Sequence, residues 1–160
     1  MKKILVAAAA LVWFAPSAAA QANASSNVTA TVIKSLSITK DRDLAFGNVI
    51  QGATKEVQKG SSNDVGKFSI AGQPNANISI SYDQISALAS GANSLPYTQG
   101  IAVNASDDSV GATDLAAGAG TVTLDGSGNA YVYLYGSVTA GASQATGDYT
   151  APVQVTVNYN

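Results

Sequence analysis

The closing fourteen residues, Gly147 to Asn160 (GDYTAPVQVTVNYN), alternate apolar and polar side chains with a period of two. Ala151, Val153, Val155, Val157 and Tyr159 share one face, while Pro152, Gln154, Thr156 and Asn158 share the other. A helix would scatter these residues around its axis, whereas a strand sets every second side chain on one side of a sheet. The segment therefore reads as a half-buried β-strand running to the end of the sequence. Gly147 opens it, and Tyr159 is in register with its apolar face.

The other end carries Lys2 and Lys3, an apolar run from Ile4 to Ala15, then Pro16 and Ala18-Ala19-Ala20, which fits the small-residue cleavage rule of a secretory signal peptide. The run is shorter than the ~20 residues that span a bilayer, so cleavage after Ala20 is expected rather than a retained anchor. What remains is enough for one domain of ordinary size. It holds ten acidic residues against six basic ones. No basic patch is present, which argues against nucleic acid as a partner.

The chain has no cysteine and no histidine. An exported fold without a disulfide must be held by packing and strand pairing. Without histidine, the usual general base near neutral pH and the commonest transition-metal ligand are both missing. An enzyme is not expected, and no cofactor is expected.

Along residues 28–39 the even positions Val28, Ala30, Val32, Leu36 and Ile38 are apolar, interrupted by Lys34, which reads as one long strand or two consecutive ones. Asp41-Arg42-Asp43 reads as a charged turn. Gly52 to Gly66 reads as an exposed loop or hairpin, and Gln84 to Gly100 and Asn104 to Gly120 as loops, the former with one helical turn. Short strands are predicted at 67–71, 78–82, 101–103, 121–124 and 130–135. The last two are read as a hairpin around Asp125-Gly126-Ser127-Gly128-Asn129. Tyr131, Tyr133 and Tyr135 fall on one face of the 130–135 strand, a packing stripe rather than a sugar platform. About seven short strands separated by turns predict an all-β, immunoglobulin-like β-sandwich.

Three segments, ATVIKSLSITKDRDLAFG (30–47), FSIAGQPNANISIS (68–81) and the closing GDYTAPVQVTVNY, together resemble a bacterial secreted family of unknown function. That family is related to spore-coat-like and archaic chaperone-usher fimbrial subunits. The spacing of Gly147 and Tyr159 from the C-terminus resembles the end signature of such pilins. The missing disulfide places the resemblance nearer the cysteine-free relatives.

The resemblance implies a pilin-like sandwich that lacks its final strand and is completed by a donor strand. It implies a division into residues 1–20 (signal peptide), 21–34 (N-terminal extension and donor) and 35–160 (sandwich). Val28, Ala30 and Val32 would be the donor plugs, and Gly147, Val153, Val155, Val157 and Tyr159 the acceptor and chaperone-facing strand. The implied partners are a periplasmic chaperone, an outer-membrane usher and neighbouring copies or related pilins. The implied route is Sec export through the periplasm to a surface fimbria of a Gram-negative-type bacterium, with a role in adhesion or biofilm.

Two other classes remain open from sequence. One is a self-complemented, monomeric secreted or coat-type sandwich binding a surface or glycan, with residues 28–33 as a strand of its own sheet. The other is an extracytoplasmic hydrolase, for which adjacent Asp107 and Asp108 are poorly placed because neighbouring side chains of an extended chain point apart. Asp107, Asp108 and Asp114, and the 125–129 run, read as turns rather than calcium loops, since neither has EF-hand spacing.

Overall fold

A computed structural model describes residues 21–61 and 63–160 of the chain. The signal peptide read at residues 1–20 lies outside the described residues. The chain divides into two compact units, residues 1–31 and 32–160. In the first, residues 21–31 form neither strand nor helix.

The second unit is all-β, and no helix occurs among the described residues. Its strands are β1 (Ser37–Arg42), β2 (Thr54–Val57), β3 (Gly66–Ala71), β4 (Asn77–Tyr82), β5 (Ala87–Ser90), β6 (Asn93–Asn104), β7 (Thr113–Asp114), β8 (Ala119–Thr123), β9 (Asn129–Thr139) and β10 (Val155–Tyr159). They make a seven-stranded sheet with the central order β1-β3-β9-β6-β5 and a three-stranded sheet with the order β10-β4-β8. All pairs are antiparallel. The expected immunoglobulin-like sandwich is the fold observed.

β9 organises the large sheet. One of its edges pairs with Tyr97 to Asn104 of β6, while the other is shared end to end by β3 and then β2. The change of partner falls at Gly136, where φ is +142° and a Cβ would stand 2.0 Å from the Thr98 carbonyl oxygen. Only glycine meets both conditions without distortion.

The two faces of β9 bury different sets. Ala130, Val132 and Leu134 turn inward and pack with Ile70, Ile78, Ile80, Ile101 and Leu124 between the sheets. Tyr131, Tyr133 and Tyr135 turn to the other face, against Val57, Val65, Ala102 and Ala112. Each fully buried aliphatic side chain contributes roughly 1.5–3 kcal/mol. The tyrosine stripe is thus a second layer of core, roofed by the connections around β2 and β7.

Several local expectations are corrected. Only Ser37–Arg42 of the alternating 28–39 segment and its continuation is strand, because the partner strand β3 ends at Ala71, opposite Ser37. Asp41 and Arg42 lie within β1 at an irregular step of its ladder rather than in a turn. The 52–66 segment contains β2, and its Val57 and Val65 are buried.

Gln84 to Gly100 holds no helical turn. It forms the β5–β6 hairpin, with Ser90 opposite Asn93. Asn104 to Gly120 likewise contains β7 and the start of β8. The 121–135 region is not a hairpin, since β8 belongs to the small sheet and β9 to the large one. The 125–129 turn therefore carries the chain across the core. Asp125 Oδ1 holds that turn, accepting from Ser127 N at 2.8 Å and Asn129 N at 2.7 Å.

Candidate functional site: an unpaired strand edge beside an open groove

The alternation in the closing segment appears in space as read. Ala151, Val153, Val155, Val157 and Tyr159 are buried or half-buried, and the residues between them are exposed. Val155, Val157 and Tyr159 lie opposite Tyr82, Ile80 and Ile78 of β4. Their side chains close one side of the inter-sheet core.

The backbone of β10 is satisfied on one edge only. Two bonds beyond the ends of the ladder, Asp83 N to Gln154 O at 3.0 Å and Asn160 N to Asn77 O at 3.2 Å, set its parity. Even-numbered residues bond to β4, so Val155, Val157 and Tyr159 turn their N–H and C=O groups toward the opposite edge. No strand among the described residues pairs with that edge. A row of free donors and acceptors there is a template for an added strand.

Next to this edge the sandwich gapes. A groove of about 1020 Å³ runs between residues 43–51, which connect β1 to β2, and residues 144–153, which lead into β10. Its apolar lining includes Leu44, Phe46, Val49, Leu88, Leu95 and Val138. Phe46 meets Tyr97 edge-on, with ring centroids 5.8 Å apart. No backbone hydrogen bond joins residues 43–50 to residues 145–153 among the described residues. At the far end the walls are joined by Gln51 Nε2, which donates to Gln144 O at 2.5 Å.

Gly147 lies in the groove wall with φ +152°, and a Cβ there would approach Ser90 Oγ to 2.9 Å. A few residues later the wall is tied to β5, by Ala89 N to Thr150 O at 2.9 Å and Thr150 N to Ala89 O at 3.0 Å. Of the five acceptor residues read from sequence, Gly147 and Val153 line the groove. Val155, Val157 and Tyr159 contribute side chains to the core and backbone to the free edge. Of the donor residues, Val28 is 98% exposed and Val32 95% exposed, and Ala30 is exposed as well.

At its last residues β10 meets the segment that precedes β1. Lys34 N donates to Gln73 Oε1 at 3.1 Å, Gln73 N donates to the Tyr159 hydroxyl oxygen at 2.7 Å, and that hydroxyl donates to Lys34 O at 2.8 Å. The three bonds form a closed ring. Gly72 leaves the space for it, because a Cβ at that position would fall 2.6 Å from the Tyr159 hydroxyl.

The acidic residues considered for calcium have other partners. Asp107 takes a 2.6 Å bond from Lys67 Nζ and a 2.9 Å bond from the Tyr133 hydroxyl. The Lys67 bond, first of all, holds its carboxyl below the usual range. Asp114 is lowered chiefly by the hydroxyl of Tyr135 and then by Lys59. Asp108 turns back to its own loop, accepting from Val110 N at 3.0 Å. Among the described residues no group of three or more His, Cys, Asp or Glu side chains is arranged to hold a metal.

Sequence reading missed most of the groove floor and one wall. Phe46 and Val49 stand in a stretch without period, and Gln73 sits among turn-forming residues, Gly72, Pro74 and Asn75. The aromatic at Tyr149 was visible in GDY but had no assigned partner. It donates to Ala145 O at 2.7 Å and accepts from Gln144 Nε2 at 2.7 Å, stiffening the wall that Gly147 belongs to.

The comparisons with known proteins agree with the expected membership of a family of unknown function. A family model described as Domain of unknown function (DUF4402) matches residues 36–159. The chain belongs to this family. The match begins one residue before β1 and ends at Tyr159, so it takes in both sheets, the groove and the free edge of β10. No curated protein matches the chain.

Proposed function

We propose that this DUF4402 protein is a structural subunit of a surface fibre, polymerised by insertion of one subunit's N-terminal arm into the groove of the next. The observation that carries this reading is the pairing of an unpartnered β10 edge with an apolar groove whose walls share no backbone bonds. Such a site takes an extended chain. Main-chain bonds supply affinity, and alternate side chains fill the apolar gap.

The same sequence supplies a suitable strand. Residues 21–33 (QANASSNVTATVI) contain no charged side chain, so they can enter an apolar groove without burying a charge. Thirteen extended residues reach about 43 Å at ~3.3 Å each, longer than the five-residue β10 whose edge they would pair with and enough to continue past it. Val28 and Val32 already stand in water, and their burial in a neighbour would offset part of the entropy cost of ordering the arm.

On this reading a periplasmic chaperone occupies the groove before polymerisation, and an outer-membrane usher is where a neighbour's arm replaces it. Sec-dependent export to a Gram-negative surface, and a role in adhesion or biofilm, belong to the same proposal.

Deletion of residues 21–33 tests it. The expected result is a folded protein that binds its chaperone and no longer forms heat- and detergent-resistant multimers. An unfolded truncated protein would instead place the segment in its own sheet, as a self-complemented monomer requires.

A further inference from the structure

We infer that Tyr159 is a positioning residue that fastens the root of the N-terminal arm to the acceptor strand of the same subunit. The ring of bonds through Lys34, Gln73 and Tyr159 engages both backbone groups of Lys34. Lys34 directly follows residues 21–33, the stretch proposed to enter a neighbour's groove.

The placement of this clasp gives it a consequence. The backbone N–H and C=O of Tyr159 face the free edge of β10, while its hydroxyl holds Lys34. A strand added to that edge would fix the Tyr159 backbone and so its ring. By reciprocity, a ring held on Lys34 would favour the added strand. One residue is therefore part of the site that receives a neighbour's arm and of the fastening that holds its own. The Tyr159 hydroxyl accepts from Gln73 N and donates to Lys34 O, so these two bonds polarise one another. This deepens the fibre reading, and rests on it only for what the arm does at a neighbour.

The clasp can be tested in the isolated protein, because Lys34-Ser35 is a trypsin site whose Lys34 N–H and C=O are both held. Tyr159→Phe keeps the apolar ring in the core and removes two of the three bonds. Gln73→Leu removes the third and leaves the Gln73 backbone N–H in place. Limited proteolysis followed by mass spectrometry should show cleavage after Lys34 accelerated about tenfold in Tyr159→Phe and severalfold in Gln73→Leu. Cleavage after Lys40, which is paired to Phe68 in the β1–β3 ladder, should keep its rate in both variants. Unchanged cleavage after Lys34 in both variants overturns the inference. Equal acceleration after Lys40 and Lys34 overturns it as well, since that is general loosening.

A synthetic peptide of residues 21–33 then separates the two readings. Bound peptide should slow cleavage after Lys34 in the wild type and not in Tyr159→Phe. Calorimetric binding with no change in that rate overturns the link between edge and clasp. A peptide that does not bind counts against the fibre reading alone, and the clasp is then decided by the proteolysis of the variants.

Discussion

The hydroxyl of Tyr133 donates a 2.9 Å hydrogen bond to Asp107, linking the tyrosine layer outside the large sheet to the loop that covers it. Lys67 reaches the same carboxylate at 2.6 Å, approaches Asp41 at 3.8 Å and lies 4.8 Å from the centre of the Tyr131 ring. The ring of Tyr133 is buried, and its polar tip is satisfied at the surface. That arrangement lets a tyrosine replace an aliphatic residue in a core layer without an orphaned hydroxyl.

Acid should weaken this corner. The Asp107 carboxyl is lowered in the folded chain, chiefly by Lys67, so its contribution is complete above its unfolded value near 3.8 and is lost as pH falls below that value. Because the side chain is 55% exposed, the loss is a few tenths to about 1 kcal/mol. Urea midpoints measured from pH 6 down to pH 2 should fall less steeply in Asp107→Asn than in the wild type. Parallel curves would show that Asp107 is not among the groups responsible.

Alkali acts on the neighbouring tyrosine. Burial, and then its bond to Asp114, push the Tyr135 hydroxyl up to about 12 from 10.0. The folded state thus holds a proton that the unfolded chain releases, and stability falls as pH rises from 10 toward 12. Tyr135→Phe should flatten that decline, and absorbance titration of the phenols should show one fewer late-ionising group. A late phase of unchanged size in the variant would remove Tyr135 from the assignment.

Ile80→Ala should cost about 2–5 kcal/mol, because Ile80 is 1% exposed in the centre of the small sheet. Val110→Ala, at a side chain 70% exposed, should change stability by less than about 0.5 kcal/mol. Chemical denaturation of the two variants side by side checks the core assignment. Equal effects would mean that the inter-sheet layer is not the main source of stability.

Gly147→Ala meets two obstacles, a φ of +152° and a Cβ 2.9 Å from Ser90 Oγ. A loss of about 1–3 kcal/mol is expected. The double variant with Ser90→Ala should recover only part of it, since the backbone strain remains. Full recovery in the double variant would show that contact with Ser90 is the whole cause.

Several of the strands visible in sequence are those with one wet face, while β9 was legible at 130–135 with both faces covered, through its run of apolar and aromatic residues. β3, β4 and β10 were found because polar and apolar side chains alternate along them. β6 was missed except at 101–103: Ile101, Ala102 and Val103 are all buried because both faces of the sheet are covered there, and Pro96 breaks the pattern upstream. The 125–129 turn was legible as a turn but not as a crossing, because turn residues report local backbone geometry and not which sheet the next strand joins. The free edge of β10 has the same limit. Alternation showed which side chains face inward, while the absence of a neighbour depends on where every other strand ends up.

The exposure of the donor-segment valines gives the most direct test of assembly. Val28 and Val32 are 98% and 95% exposed, so a carboxylate in place of either leaves the subunit's own packing untouched. In a neighbour's groove the same carboxylate would be placed among Phe46, Val49, Leu88 and Leu95, and the two cations of the lining, Lys40 and Arg42, already bond Asp43 and the Val65 carbonyl, so its desolvation would cost several kcal/mol. Val28→Asp and Val32→Asp should therefore keep the wild-type melting temperature within about a degree or two and lose detergent-resistant multimers. Val110→Asp, at a side chain 70% exposed and outside the arm, should keep both. Multimers that survive both arm substitutions would mean that these side chains stay in water in the assembled state, and the arm would not be the strand that fills the groove.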